Sequence, residues 1–164
     1  MAIQGVIFDL DGVITDTAHL HFLAWKALGD SLGVEITLEL NERLKGLGRQ
    51  ETLTLILKEA RLYDHYTEAE RQALADRKNR AYVASLESLG PQDLLPGIGD
   101  SLKDLKKRGI KIGLASSSQN ARLIIKKLGL EPYFEAMVDP RSLSKGKPDP
   151  EIYLKAAAAL GLNP

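Results

Sequence analysis

Three short apolar runs limit the folds open to this chain more than any other feature: Val6-Ile7-Phe8, Ile110 to Ala115 and Ala136 to Val138. Runs that are this short and apolar on consecutive residues read as strands buried on both faces. The last two alternate with helical patterns. Ile98 to Arg108 is helical and stops at Gly109, Ser118 can cap a helix running to Gly129, and Asp149-Pro150 opens a helix that Gly161 ends. An Asp followed by Pro is a good helix start, because the carboxylate accepts first-turn N–H groups and the ring needs no donor there. Strands alternating with helices imply a parallel sheet with helices on its faces.

Between the first strand and this α/β stretch the pattern is helical throughout. Leu20, Leu23, Ala24, Ala27, Leu28 and Leu32 recur at three- and four-residue spacing, and Gly33 is a stop. Thr67 and Glu70 have the spacing of a capping box at the head of a long polar helix. The expected organisation is therefore an α/β core, residues 1–14 and 95–164, with an all-helical cap inserted at 15–94. The turn-forming stretches near Val13–Asp16 and Leu89–Pro96 are the expected hinges.

Composition narrows the chemistry. The 164 residues include no cysteine, which excludes disulfides, thiolate metal sites and cysteine nucleophiles. The formal net charge is zero and no long basic run occurs, so neither nucleic acid nor a membrane surface is an expected partner. No apolar run reaches transmembrane length and no signal-peptide pattern opens the chain, so a cytoplasmic location is expected; a monomer is the expected state.

The chemistry-bearing residues fall at the strand ends. Asp9-Leu10-Asp11-Gly12-Val13 follows the first strand. In open α/β sheets ligands bind beyond the carboxyl ends of the strands, and Gly12 lets the chain turn sharply enough for both carboxylates to reach that crevice. A carboxylate needs no deprotonation to attack phosphorus at neutral pH. Its repulsion with a phosphate calls for a divalent cation and fixed donors, and the second carboxylate can move the proton. The bland alternative is an acidic turn closing a strand. Ser116-Ser117-Ser118-Gln119-Asn120 follows the second strand and can bind an anion or simply cap a helix. Lys147 before Pro148 follows the third, and alone is an ordinary surface lysine. The convergence of all three on the strand ends favours phosphoryl transfer.

These motifs resemble the first three signatures of the haloacid dehalogenase superfamily. The run from Phe8 to Ala18, with His21, Ala24-Trp25-Lys26, Asn41-Glu42, Leu44-Lys45-Gly46, Arg49, Arg77-Lys78-Asn79 and Ala115 to Ser118, resembles the β-phosphoglucomutase family within it. The resemblance covers essentially the whole chain. It implies a Rossmann-like core with a helical cap, and interconversion of β-glucose 1-phosphate and glucose 6-phosphate. The route it implies is an aspartyl-phosphate enzyme, a β-glucose 1,6-bisphosphate intermediate and Mg²⁺. Asp9 would be the nucleophile and Asp11 the acid/base, with Asp9 and the Asp11 backbone carbonyl on Mg²⁺. Ser116 and Lys147 would hold the transferring phosphoryl group, and Arg49, Ser118 and Asn120 the distal phosphate. Lys45 and Gly46 would face the sugar. His21, with Lys78 and the hinge residue Thr17, would couple cap closure to the placement of Asp11, and Trp25 would be a cap contact to substrate.

Each cap residue has a plainer role open to it: Trp25 as packing, His21 as a partly buried surface residue, Arg49 as a solvated helix start, Lys78 as part of a charged helix. Two departures from the family pattern stand out. Gln119 occupies a position where the family can carry a basic residue, so the distal phosphate is expected to lean on Arg49. The family's fourth motif, an acidic pair that supplies a further metal carboxylate, falls beyond Pro164, so the natural chain is expected to continue. The rival readings are a sugar-phosphate phosphatase on the same fold and a fragment that only binds phosphosugar.

Overall fold

The computed structural model describes residues 3–163. The chain divides into two compact units, residues 1–17 with 89–164 and residues 18–88.

The first unit is a parallel sheet with helices. Strand β1, Gly5–Phe8, pairs with β2, Lys111–Leu114, which pairs with β3, Ala136–Met137, in the order β1-β2-β3. The register sets Phe8 opposite Leu114 and Leu114 opposite Met137, so the three strands end at one level. Strand ends differ from the sequence expectation by about one residue, although Val138 N–H still donates to the Leu114 carbonyl at 3.2 Å. Ile112, Leu114, Ile124, Ile125, Ile152 and Ala156 are buried in this unit.

The second unit is helical: α1, Ala18–Leu32; α2, Leu38–Leu44; α3, Arg49–Glu59; and α4, Glu68–Ser85. Its core joins Trp25 and Leu28 of α1 to Leu44, Leu53, Ile56, Leu57 and Ala75. The expected capping box is present. Glu70 N–H donates to Thr67 Oγ1, and Thr67 N–H donates to the Glu70 carboxylate. The stripe expected on α1 is displaced, because Leu23 is 55% exposed while Trp25 is 4% exposed. Ala24, Trp25, Leu28 and Gly29 form the buried face instead.

Three helices complete the first unit: α5, Ile98–Lys107; α6, Ala121–Lys127; and α7, Glu151–Ala159. Two local expectations are corrected here. Helix α6 starts three residues after Ser118, whose hydroxyl accepts the Asn120 N–H and caps a turn, not the helix. The units part at Thr17/Ala18 and Ser88/Leu89 rather than at residues 14 and 95. Thr15 makes bridges with Asp11 and Leu94, its hydroxyl donates to the Asp93 carbonyl at 2.7 Å, and Leu95 N–H donates to Ile14. These pairings hold 14–17 and 89–95 with the sheet.

Candidate active site

The site begins where β1 stops. The Leu10 carbonyl accepts from Val13 and Ile14, and Gly12 N–H donates to the Thr15 carbonyl, so the chain reverses within one turn. Gly12 takes a φ of 75°, which a side chain would resist. Leu10 and Ile14 are fully buried on either side of the turn and anchor it. Asp9 and Asp11 are thereby displayed from a rigid loop.

Asp9 is fixed at both oxygens. Its Oδ1 accepts the Leu10 N–H at 2.8 Å, and its Oδ2 lies 2.8 Å from Lys147 Nζ. Lys147 is largely buried and also donates to the Ala115 carbonyl at 3.1 Å. The Tyr153 ring lies 5.3 Å from its Nζ. Asp11 is held separately: Thr17, fully buried, donates its hydroxyl to Asp11 Oδ1. One carboxylate is thus paired with an ammonium and the other with a neutral hydroxyl, a difference suited to a nucleophile beside a proton carrier.

The loop after β2 brings hydroxyls to the same strand level. Ser116 is buried, and its Oγ accepts the Ser118 N–H at 3.1 Å. Ser118 Oγ accepts the Asn120 N–H at 3.2 Å. Each hydroxyl is oriented through its acceptor lone pair, which leaves the O–H as a donor to an anion. Asp139, at the end of β3, has both oxygens on the Arg141 guanidinium, whose hydrogen bonds hold its carboxyl down at about 2. That carboxylate also accepts the Arg141 N–H at 3.0 Å within its own turn.

No group of three or more His, Cys, Asp or Glu able to hold a metal is found among the described residues. The donor set at β1 nonetheless suits Mg²⁺. That ion keeps several waters and binds through one or two carboxylates plus substrate phosphate, rather than in an all-protein cage. The Asp9 carboxylate and the Asp11 main-chain carbonyl are oxygen donors of this kind.

The helical unit gathers its own polar cluster. His21 and Trp25 lie one turn apart on α1, and Lys78 and Tyr82 one turn apart on α4, spacings that put each pair on one face. Lys78, 3% exposed, places its Nζ 2.7 Å from His21 Nδ1 and 4.6 and 4.9 Å from the centroids of Trp25 and Tyr82. His21 stacks on Tyr82 at 3.8 Å. Burial, then the Lys78 and Arg49 charges, push the His21 imidazole down to about 3, so it is neutral at ordinary pH. Tyr82 was not anticipated from sequence, although its position one turn after Lys78 was the available signal. Trp25 is enclosed in the core and packs there. Arg49, the first residue of α3, lies 3.6 Å from Asp76. Burial lowers its pKa and the Asp76 charge opposes that. Lys45 pairs with Glu42 at 2.6 Å, and Gly46 takes a φ of 79° just before α3.

The chain is similar to known proteins over nearly its whole length. Residues 3–164 match the model of the haloacid dehalogenase-like hydrolases. The chain is 53% identical to β-phosphoglucomutase of Bacillus subtilis over 98% of its length and 71% of the relative's. It is 32% identical to a phosphorylated-carbohydrate phosphatase of Thermotoga maritima, over 98% and 72% of the two chains. A crystal structure of β-phosphoglucomutase from Clostridium difficile superposes with a TM-score of 0.96 at 41% identity, covering 99% of this chain and 73% of that one. On the match that spans residues 3–164, the chain belongs to the haloacid dehalogenase-like hydrolase family.

Proposed function

We propose that the protein is a β-phosphoglucomutase, interconverting β-glucose 1-phosphate and glucose 6-phosphate through a phosphorylated Asp9. The observation that carries this reading is the 53% identity to a β-phosphoglucomutase across both units, against 32% to a phosphatase of the same fold.

The chain's own groups supply the steps. An Asp9 carboxylate oxygen attacks the phosphorus of a bisphosphate, forming the acyl-phosphate bond as the bond from phosphorus to the sugar oxygen breaks. Asp11, held by Thr17, delivers its proton to that oxygen, and takes a proton from the other sugar hydroxyl when transfer reverses. Lys147 and the Ser116 hydroxyl donate to the phosphoryl oxygens as negative charge spreads over them. Mg²⁺ bound by Asp9 and the Asp11 carbonyl would offset the repulsion between carboxylate and phosphate. Ser118, Asn120 and the Arg49 fork are assigned to the second phosphate, and Lys45 with Gly46 to the sugar hydroxyls. The His21–Lys78 pair, braced by Trp25 and Tyr82, sets the surface α1 and α4 present.

The test is Mg²⁺-dependent production of glucose 6-phosphate from β-glucose 1-phosphate, primed with the bisphosphate. Release of inorganic phosphate at a rate equal to or above that of isomerisation would replace this reading with a phosphatase.

A further inference from the structure

Lys147 stands on the connection between β3 and α7, which contains no long regular element to hold it. After a 3₁₀ turn at Pro140–Ser142 the chain runs through Leu143 to Pro150 before α7 begins. Besides the Asp149 N–H bond to the Gly146 carbonyl at 3.1 Å and the Lys145–Asp149 pair at 3.7 Å, that path is held by a side chain on the first residue of α7. Both Glu151 carboxylate oxygens lie 3.0 Å from the Ser144 nitrogen, and Oε2 accepts the Lys145 N–H at 2.8 Å.

The carboxylate is itself braced. Lys155, one turn along α7, pairs with Glu151 Oε1 at 2.9 Å and donates to the Ser142 carbonyl, tying the other end of the loop to the same helix. Asp149 Oδ1 accepts the Glu151 N–H at 3.0 Å, which sets the start of α7. A negative charge in the first turn of a helix is also favoured by the helix dipole. These hydrogen bonds and the Lys155 charge hold the Glu151 carboxyl down at about 2. It therefore remains ionised wherever the enzyme works, and hydrogen bonds to a charged acceptor are the stronger kind.

We propose that Glu151 is a positioning residue for the reaction. Resting on the assignment of Lys147 to the phosphoryl group, it clamps the Ser144 and Lys145 amides so that the ammonium two residues on is delivered to Asp9. Lys147 spans 2.8 Å to Asp9 and 3.1 Å to the Ala115 carbonyl. A misplacement of about 1 Å in such a group is enough to cost on the order of a hundredfold in rate. Glu151 touches no reacting atom, so its effect must pass through Lys147.

The experiment compares Glu151→Gln, Glu151→Ala, Lys147→Ala and the Glu151→Gln/Lys147→Ala double variant in the full-length enzyme. The readouts are kcat and KM for glucose 6-phosphate formation, the single-turnover rate of Asp9 phosphorylation, and hydrogen exchange at the Ser144 and Lys145 amides. Glu151→Gln keeps one acceptor oxygen and should lower kcat about tenfold, and Glu151→Ala further, with KM changed less than about threefold. Exchange at both amides should quicken in both variants. In the Lys147→Ala background the Glu151→Gln change should alter the phosphorylation rate less than about twofold. An undiminished kcat in Glu151→Ala overturns the proposal, as does a tenfold loss that persists without Lys147. A wild-type rate in Lys147→Ala would instead overturn the assignment of Lys147 itself. Should Glu151→Ala fold poorly, Glu151→Gln, which preserves shape and one acceptor, decides alone.

Discussion

The two units hold their polar groups in different ways. In the sheet unit main-chain ties stand beside side-chain ones: Asp9 to the Leu10 amide as well as Lys147, Lys147 to the Ala115 carbonyl, Ser116 to the Ser118 amide, with Asp11 on a side chain, the Thr17 hydroxyl. In the helical unit the corresponding ties run between side chains: Lys78 to His21, Arg49 to Asp76, Lys45 to Glu42. Main chain anchored in a parallel sheet has one geometry, so groups fixed to it suit bond making, where sub-ångström placement decides the rate. A partner on an exposed side chain can be exchanged for a ligand's polar group. Arg49 and Lys45 pair with carboxylates that are 45% and 65% exposed, so release costs little.

That contrast breaks first at Asp9. Asp9→Asn keeps the shape and one acceptor for Leu10 but removes the attacking charge. No hydroxylamine-sensitive phosphoenzyme should form, while the thermal midpoint shifts by only a few degrees. A phosphoenzyme in this variant would move the nucleophile elsewhere. Asp11→Asn should leave the Asp11 main-chain carbonyl in place and lose general acid/base help, roughly 10²–10⁴-fold in kcat. Turnover like that of the native enzyme would show that Thr17 holds Asp11 for the loop's sake alone.

Arg49 tests the other half of the comparison. A lysine carries the charge but cannot offer the planar two-pronged donor of a guanidinium. Arg49→Lys should cost about tenfold in mutase turnover, the scale of one charge-assisted hydrogen bond. Hydrolysis of acetyl phosphate, which has no second phosphate, should be unchanged. Equal losses in the two assays would make Arg49 a structural residue paired with Asp76.

What the sequence displayed and what it hid divide along similar lines. β1, Asp9, Asp11 and the Gly12 turn were legible because the signal is local: an apolar run, two acids and a glycine within eight residues. The capping box at Thr67 was legible for the same reason. The limits of the sheet unit were not, because Thr15 with Asp93 and Leu94 is a long-range pairing between residues of no distinctive type. Ser118 looked like a helix cap because a serine before an apolar stretch has the same local appearance whether or not the helix starts there. Glu151 reads as an ordinary first-turn acid, and only the path of the loop turns it back onto Ser144 and Lys145. Tyr82 has the spacing to join Lys78, but its stacking on His21 depends on how α1 and α4 pack.

The smallest expected effect is on stability rather than rate, and it concerns the side chain–side chain ties of the helical unit. Native His21 titrates at about 3, against an ordinary value near 6.5. Above pH 6.5 neither the folded nor the unfolded chain holds a proton there, and the group contributes no pH dependence. As the pH falls below 6.5 the unfolded chain takes up a proton that the folded chain refuses, because protonation would set a buried imidazolium against the Lys78 ammonium. Stability should therefore fall with decreasing pH, by at most about 1.4 kcal/mol per pH unit for this single group. Glu151 and Asp139 are also held down in the folded state, but from ordinary values of 4.5 and 3.8, so their acid-side losses begin lower. The window between pH 6.5 and about 4.5 isolates His21. Urea unfolding at pH 7.5 and pH 5 should show the native protein losing stability across that interval. His21→Gln, which cannot protonate, should lose less. An equal loss in the variant would mean that the acid-side loss comes from groups other than His21.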